Sequence, residues 1–354
     1  MFINGIGTAV PQRRYTQQEI WTAFQAAPQF ARLTDRSRAI LRKVLTGNNG
    51  IIARHASLES MAEAFELTPD ILQQRFAQHA PSLATAAAVQ AMQRAGVEPQ
   101  DIDGLLISTC TGYLCPGLTS YVSERLKLRP GATRLDLVGQ GCGAALPNLH
   151  TADTLIRSGA ARHVLSVCVE ICSAAFFIDD DPGVLISACL FGDGAAAAVV
   201  SAEPVSNRRH VKWTNFQTVL KPEHREELRF EHRGGMLRNI LKPSVPKLAA
   251  YTAQELLSIA LIRAGRSRED IRAWIWHAGG RDVLLALREH LGFTDDDLRH
   301  SHAVLRDYGN ISSPSVLFVL DATLNNGAPN GTWWMSSFGA GFSCHGALLE
   351  VSGP

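Results

Sequence analysis

Cys142 has the sequence surroundings of a nucleophile that a fold exposes at a tight turn. The segment Arg134–Val138 has the apolar pattern of a buried strand that ends at a sheet edge. Gly141 and Gly143 flank the cysteine and allow the chain to bend sharply. A helix is predicted from about Leu146, and its N-terminal dipole favours the thiolate form of the cysteine. The other interpretation is a buried structural cysteine, because free cysteines are among the most buried residues.

A histidine and an asparagine occupy two further glycine-rich turns. His277 ends the apolar strand pattern Ala273–Trp276 and precedes two glycines. Asn310 follows Gly309 and precedes a predicted buried helix at 314–320. A histidine can activate a thiol, and an amide N–H can stabilise an oxyanion. Each residue alone is more typical of structure than of chemistry, so the prediction rests on the combination of cysteine, histidine and asparagine.

These three segments together resemble the active-site segments of a known enzyme family. Gly141–Gly143, His277–Gly280 and Tyr308–Ser313 are similar to the corresponding segments of type III polyketide synthases, the chalcone-synthase-like enzymes of the thiolase superfamily. Phe191–Ala196 reads FGDGAA and is similar to a further segment of that family. The resemblance keeps its order and spacing from about Asp103 to the C-terminus. The chain is therefore identified as a bacterial-type member of the family.

Alternating strand and helix patterns predict an α/β fold. Buried strands are predicted at 104–108, 164–168 and 195–200, and helices at 81–96 and 252–264. A helix followed by a strand occurs in both halves of the chain, and this recurrence indicates an internal duplication.

The resemblance implies how these elements are organised. Type III polyketide synthases have the thiolase fold, a five-layered αβαβα sandwich of two duplicated halves, and are normally homodimers. The polar segment Ser201–Arg209 is the best internal boundary. We therefore expect an N-terminal thiolase-like half at 1–205 with the nucleophile. The C-terminal half, with the histidine and the asparagine, is expected at 206–354.

The reaction of the family is an iterative decarboxylative Claisen condensation between an acyl-CoA starter and malonyl-CoA. By resemblance, Cys142 carries the starter and the growing chain, and His277 lowers the pKa of the thiol. Asn310 and His277 donate hydrogen bonds to the malonyl thioester oxygen, where loss of carbon dioxide leaves negative charge. Removal of one such donor typically costs roughly 3–4 kcal/mol, or 100- to 1000-fold in rate. The polyketide then cyclises to a pyrone, a resorcinol or a related ring, and no metal or redox cofactor is required.

Other positions match residues that line the substrate cavity of the family. Phe191 matches the phenylalanine between the cavity and the CoA tunnel, and Cys115 matches a residue that reaches into the cavity of the partner subunit. The remaining matches are Cys172, Ala175, Met236, Gly280 and Ser312, together with Phe338 and Gly339 in the C-terminal loop. Arg42 and Lys43 are the candidates for contact with the CoA phosphates. An acyl carrier protein is an alternative donor of the starter.

Composition excludes several other classes of function. The chain has 34 Lys and Arg against 33 Asp and Glu, a net charge of +1, and no basic patch for nucleic acid or a membrane surface. Seven cysteines without a secretory signal pattern predict a reduced, cytoplasmic protein. Cys168 and Cys172 lack further ligands for zinc, and Asp179–Asp181 and Asp295–Asp297 lack the spacing of calcium ligands. We therefore expect no metal centre.

Three alternatives remain open from the sequence. An initiating 3-ketoacyl carrier-protein synthase has the same fold but does not extend its product iteratively. A catalytically silent thiolase-fold subunit would only shape a partner's cavity, which the intact Cys142, His277 and Asn310 disfavour. A cysteine–histidine hydrolase would not need Asn310 or a malonyl donor.

Overall fold

The computed structural model describes residues 1–206 and 208–353, and within them strands and helices alternate along the chain. The strands are β1 (Phe2–Ala9), β2 (Arg14–Thr16), β3 (Ala53–His55), β4 (Gly104–Ser108), β5 (Thr133–Leu137), β6 (His163–Glu170), β7 (Gly194–Ser201), β8 (His210–Leu220), β9 (Leu228–Arg233), β10 (Met236–Leu241), β11 (Ile271–Trp276), β12 (Gly331–Gly339) and β13 (Ser343–Ser352). The α-helices are α1 (Gln17–Ala26), α2 (Pro28–Arg32), α3 (Asp35–Thr46), α4 (Pro69–Ala95), α5 (Leu118–Leu126), α6 (Ala145–Arg157), α7 (Pro182–Leu190), α8 (Val245–Ala264), α9 (Arg281–Leu291), α10 (Arg299–Tyr308) and α11 (Ser315–Asn325). The predicted α/β class is confirmed.

Nine of these strands form one continuous mixed sheet in the order β11-β12-β13-β8-β1-β7-β6-β4-β5. In the N-terminal part, β4 pairs parallel with β6, and β6, β7 and β1 are antiparallel neighbours. In the C-terminal part, β11 pairs parallel with β12, and β12, β13 and β8 are antiparallel neighbours. The two parts therefore repeat one topology, in which α6 precedes β6 and α11 precedes β12. They join where β1 pairs with β8 at Phe2 and Lys212.

Helices cover and separate the two parts of the sheet. α4 packs against β1, β6 and β7 on one outer face, and α8 packs against β8 and β13 on the other. α6 contacts β4 and β6 of the first part and β12 and β13 of the second. α11 contacts β1 and β7 as well as β11 and β12, so α6 and α11 form the central layer. The order of layers is helix, sheet, helix, sheet, helix, as the resemblance to the thiolase fold implied.

Helix α4 begins at Pro69, well before the predicted start at Pro81. Thr68 caps it by accepting a hydrogen bond from the N–H of Ile71, and Pro81 lies buried inside the helix. Proline is well tolerated in the first turn of a helix, and Pro69 occupies that position. Pro69 and Pro81 therefore both fit the sequence pattern of a helix start, and the structure shows that the helix begins at Pro69. Neither α4 nor any other helix of the described residues is long and apolar enough to cross a membrane.

Strand β5 differs from the buried strand that the apolar pattern at 134–138 predicted. Within residues 1–206 and 208–353, it lies at the edge of the sheet and pairs only with β4. Leu135 is 42% exposed and Val138, just beyond the strand, is 57% exposed. An apolar pattern does not distinguish a central strand from an edge strand, because both contain residues of high β propensity.

The hairpin of β9 and β10 stands outside the main sheet. Arg238 on β10 anchors it by donating to Asp179 at 2.7 Å and to Glu231 at 2.9 Å. A third carboxylate, Asp181, lies 3.3 Å from the same guanidinium. Asp181 also caps α7, so this network fixes the hairpin to the start of that helix. The hairpin thereby forms a wall of the cavities that adjoin the site.

Candidate active site

Cys142 lies between Gly141 and Gly143 on a short helical turn that links β5 to α6. Gly141 has φ +56°, a left-handed conformation that glycine adopts without strain. A β-carbon there would lie 2.9 Å from the amide nitrogen of Ala340, and one at Gly143 would lie 2.9 Å from the ring of His345. The turn can therefore approach the C-terminal part of the chain only because both neighbours of the cysteine are glycine.

Ser312 makes a direct hydrogen bond to Cys142, with its Oγ 3.2 Å from the cysteine Sγ. Ser312 lies three residues before the start of α11, and Cys142 lies three residues before the start of α6. The two side chains thus occupy equivalent positions in the two repeats and meet between the central helices. Ser312 has φ +56°, which is uncommon for residues other than glycine and typical of the local strain that functional sites retain.

His277 and Asn310 are neighbours through Gly279. The side-chain NH₂ group of Asn310 donates a hydrogen bond of 2.9 Å to the carbonyl oxygen of Gly279. A β-carbon at Gly279 would lie 3.1 Å from His277 Nε2, so the edge of the imidazole lies against this glycine. Asn310 Oδ1 accepts a hydrogen bond of 2.8 Å from the N–H of Ser312, which fixes the orientation of the amide. The second N–H of that amide makes no hydrogen bond to the described residues.

Strand β12 connects the cysteine turn to the histidine. The backbone N–H of His277 donates to the carbonyl oxygen of Ser336 at 3.0 Å. The next residue, Ser337, donates through its hydroxyl to the carbonyl oxygen of Gly143 at 3.0 Å. The structure thus brings Cys142, His277 and Asn310, which come from both repeats, into one hydrogen-bonded region.

Burial dominates the ionisation of this region. Burial raises the pKa of Cys142 from its ordinary value of 9.0 to about 12, although the hydrogen bond from Ser312 opposes the shift. Burial lowers the pKa of His277 from 6.5 to about 4. The sequence predicted a thiolate favoured by the dipole of α6, whereas the structure holds the lone thiol and the lone imidazole neutral. The physical reason is that removal from water disfavours any isolated charge.

Glu170 is a fully buried carboxyl group beside the cysteine that sequence reasoning did not assign to the site. It accepts hydrogen bonds from Thr111 Oγ1 at 2.9 Å, from the N–H of Cys110 at 3.0 Å and from Ser313 Oγ at 2.5 Å. Ser312 Oγ lies between this group and Cys142, 3.4 Å from Glu170 Oε1. Burial raises the pKa of Glu170, and its hydrogen-bond donors oppose that shift. The sequence feature that could have identified Glu170 is its position as a single acidic residue at the end of the apolar strand β6.

Two cavities adjoin the site. The smaller has a volume of about 80 Å³, and the predicted residues that line it are Phe191, Cys172, Ala175 and Ser312. The larger has a volume of about 450 Å³ and is lined by Met236, together with Gly141 and Ala340 beside the cysteine turn. Phe230 on β9, which sequence reasoning missed, lines both cavities and so lies between them.

The other predicted residues line neither cavity. Gly280 is the residue before α9, Phe338 is buried and stacks on Trp276, and Gly339 packs against the turn that holds the cysteine. Cys115 is exposed in the loop before α5, and Arg42 and Lys43 are exposed on α3. Across residues 1–206 and 208–353 there is no cluster of three or more side chains that could hold a metal ion.

Two family descriptions match most of the chain. "Chalcone and stilbene synthases, N-terminal domain" matches residues 3–204, and "Chalcone and stilbene synthases, C-terminal domain" matches residues 215–350. Among curated relatives, 3,5-dihydroxyphenylacetyl-CoA synthase of Streptomyces toyocaensis is 30% identical over 98% of this chain and 89% of its own. Phloroglucinol synthase of Pseudomonas fluorescens is 28% identical over 96% of each chain.

Solved structures agree with these sequence matches. PKS-I of the brown alga Ectocarpus siliculosus superposes with a TM-score of 0.89 at 25% identity, covering 98% of this chain and 97% of its own. The 1,3,6,8-tetrahydroxynaphthalene synthase of Streptomyces coelicolor has the same fold, with a TM-score of 0.86 at 23% identity and full coverage of both chains, 100% and 100%. The chain therefore belongs to the chalcone and stilbene synthase family, whose members are type III polyketide synthases, enzymes of the transferase class.

Proposed function

We propose that the protein condenses an acyl-CoA starter with malonyl-CoA by iterative decarboxylative Claisen condensation and then cyclises the product. The observation that carries the proposal is the convergence of Cys142, His277 and Asn310 in one buried region that adjoins two cavities. In this proposal the unit at 1–205 supplies the nucleophile and the unit at 206–354 supplies the other two groups. Enzymes of this family act on CoA thioesters and need no further cofactor.

The first step loads an acyl group on Cys142. Burial disfavours a lone thiolate and a lone imidazolium, so the proton passes from the thiol to His277 as the sulfur attacks the thioester carbonyl. The two opposite charges then form together and stabilise each other. The CoA thiolate leaves and takes the proton from His277. Acyl-Cys142 and a neutral imidazole remain.

Neutral His277 and the free N–H of Asn310 next act on malonyl-CoA. They donate to its thioester oxygen while the bond to the carboxylate carbon breaks; the carboxylate leaves as carbon dioxide, and the electron pair of the broken bond forms an enolate at that oxygen. Gly279 and Ser312 hold the amide of Asn310 in place, so the donor needs no reorganisation. The enolate carbon attacks acyl-Cys142 and releases the cysteine thiolate. The chain, longer by one condensed unit, is then on CoA and returns to Cys142 for the next cycle.

The larger cavity supports ring formation, because its volume of about 450 Å³ gives an extended chain room to fold back on itself. Two relatives are named for dihydroxyphenylacetyl and phloroglucinol products, so we propose a phenolic ring.

The proposed substrate-binding residues fall into three groups. The cavity walls are formed by Phe191, Cys172, Ala175, Ser312 and Met236. Gly280, Phe338 and Gly339 support these walls, and Arg42 and Lys43 are proposed to bind the CoA phosphates. A carrier-protein thioester is the alternative starter donor, since it presents the same acyl group.

The exposed edge of the sheet supports a homodimer. In the described part of the chain, β5 has a hydrogen-bonded partner on one side only. Leu135, Val138 and Tyr113 near it are 42%, 57% and 68% exposed. An unpaired strand edge with apolar neighbours is a favoured place for chains to associate. In such a dimer, Cys115 would reach the cavity of the partner subunit.

We also propose a cytoplasmic location, which the seven free cysteines support.

Intact-protein mass spectrometry, with an acyl-CoA panel followed by malonyl-CoA, tests the proposed function. We expect an adduct that grows on addition of malonyl-CoA and is absent in Cys142→Ala. Cys344→Ala removes a buried thiol of β13 that lines neither cavity, so this matched control should load normally.

The other outcomes separate the alternatives. An adduct in Cys142→Ala would exclude this cysteine as the nucleophile. A single extension would favour an initiating synthase, and release of free acid without growth would favour a hydrolase. Loading from a carrier-protein thioester alone would identify that donor, and no adduct with any donor would favour a silent subunit.

A further inference from the structure

Pro147 removes one backbone hydrogen bond from the start of α6, the helix that follows the cysteine turn. The first bond of this helix runs from the N–H of Asn148 to the carbonyl oxygen of Ala144 at 3.0 Å. The bond one residue earlier would need an N–H at position 147 to donate to Gly143, and proline has no N–H. Within the described part of the chain, no backbone N–H donates to the carbonyl oxygen of Gly143. The carbonyl group next to Cys142 therefore depends on a side chain for its hydrogen bond.

Ser337 supplies the donor that the helix lacks. Its hydroxyl group donates to the carbonyl oxygen of Gly143 at 3.0 Å. Ser337 is 0% exposed and Gly143 is buried as well, so bulk water does not reach the pair. A buried carbonyl group without a donor is costly, and such groups are rarely left unpaired. This hydroxyl group is therefore specifically needed at the cysteine turn.

The strand that carries Ser337 also holds the histidine of the site. β12 lies between β11 and β13 in the sheet, so it is hydrogen-bonded on both sides. The carbonyl oxygen of Ser336, the preceding residue, accepts a hydrogen bond of 3.0 Å from the N–H of His277. Two successive residues of one fixed strand thus contact the histidine and the cysteine turn. The position of the turn relative to His277 is set through this strand.

Other contacts of the turn limit its approach but do not hold it. A β-carbon at Gly339 would lie 2.9 Å from the amide nitrogen of Gly143, and one at Gly143 would lie 2.9 Å from the ring of His345. Such packing sets a shortest distance and no longest one. Among the side chains of the described residues, only that of Ser337 makes a hydrogen bond to the backbone of 141–143. Loss of this bond would leave the turn free to move away from β12.

We infer that Ser337 is a positioning residue for Cys142. Its hydroxyl group replaces the amide hydrogen that Pro147 lacks, and it thereby holds the cysteine turn at the distance from His277 that proton transfer needs. The inference rests on the proposed function, in which the thiol passes its proton to this histidine. Ser337 acts through the backbone of Gly143 and does not contact the substrate. Displacement of a reacting group by about 1 Å can lower a rate by about 100-fold.

The test measures the rate at which iodoacetamide alkylates Cys142 as a function of pH in Ser337→Ala, which removes the hydroxyl group and adds no bulk. We expect the rate at pH 7 to fall by up to roughly 100-fold. The rate should also keep rising through the alkaline range, as for a thiol without a nearby base. For loading by an acyl-CoA, kcat should fall and KM should change little, because the residues that line the cavities are intact. A purely structural role would lower the Tm and leave the pH profile of alkylation unchanged.

Pro147→Ala provides a rescue that is specific to this mechanism. In the Ser337→Ala background it restores an N–H at the position from which α6 can donate to the carbonyl oxygen of Gly143. The double variant should therefore recover most of the lost alkylation rate. Pro147→Ala alone should keep the wild-type rate, because the carbonyl group already has its donor in Ser337.

Thr214→Val is the matched control, since it removes a hydroxyl group that donates to the carbonyl oxygen of Leu348 at 3.0 Å, between β8 and β13. It should keep the wild-type pH profile. An unchanged profile in Ser337→Ala, an equal change in Thr214→Val, or a double variant no faster than Ser337→Ala would each overturn the inference and leave the condensing function intact. Failure of every acyl-CoA to load wild-type Cys142 would instead overturn the condensing function, and the alkylation rates would still decide the role of Ser337.

Discussion

Replacement of His277 by glutamine isolates the effect of burial on the cysteine. Burial, opposed by the hydrogen bond from Ser312, places the pKa of Cys142 at about 12, three pH units above its ordinary value of 9.0. Three units correspond to roughly 4 kcal/mol and to a roughly 1000-fold smaller thiolate fraction at neutral pH. In the wild type, transfer of the proton to His277 offsets this cost, because the two charges form as a pair. In His277→Gln this imidazole is absent, and Glu170, the carboxyl group beside the cysteine, is separated from the thiol by the hydroxyl of Ser312.

The rate of alkylation by iodoacetamide compares the reactivity of Cys142 in the wild type and in His277→Gln, since the thiolate is the reacting form. In His277→Gln the rate at Cys142 should rise about tenfold for each pH unit through the alkaline range, as expected for a lone thiol with a high pKa. The wild-type rate should instead level off near neutral pH and exceed the variant rate at pH 7 by up to roughly 1000-fold. Peptide mapping confines the measurement to Cys142.

His300→Gln is the control, because it makes the same change at a buried histidine on α10 that lines neither cavity. Burial lowers the pKa of His300 as it does that of His277. The control should retain the wild-type profile. If His277→Gln also retained that profile, then His277 would not be the proton acceptor, and the proposed activation of the thiol would be wrong.

Three further predictions address the other parts of the site. Asn310→Ala should load an acyl group normally but release carbon dioxide from malonyl-CoA roughly 100- to 1000-fold more slowly, as for loss of one oxyanion donor; normal release would remove Asn310 from the mechanism. Ala175→Leu fills part of the 80 Å³ cavity, so loading should shift toward smaller acyl groups, and an unchanged acyl-CoA preference would show that this wall does not limit the starter. Leu135→Glu places a charge at the exposed edge strand, so light scattering should report a monomer, and a stable dimer would locate the interface elsewhere.

The sequence was most informative where local patterns decide the structure. Glycines around Cys142 marked a turn in which the backbone must approach another segment, and the structure shows such close approaches at Gly141 and Gly143. The glycine after His277 has a local role, because Gly279 lies against the imidazole of His277. Strand β4 has the predicted bounds, 104–108. The sequence also indicated the internal duplication, because a helix followed by a strand occurs in both halves of the chain.

Properties that depend on tertiary contacts were not accessible from the sequence. Glu170 became part of the site only because Thr111 and Ser313, distant in sequence, surround its carboxyl group. The sequence also gives no measure of desolvation, which outweighs the helix dipole at Cys142. Exposure of β5 likewise depends on its place at the edge of the sheet rather than on its residues.

The contact between Cys142 and Ser312 requires the two repeats to differ at one position. These side chains occupy equivalent positions of two repeats, so in a symmetric dimer of single repeats the same residue would face its own copy across the two-fold axis. Two serines there would provide no thiol, and two cysteines would compete for one acyl group. Because both repeats lie in one chain, the two positions can hold different residues, so that one is the candidate nucleophile and the other its hydrogen-bond donor.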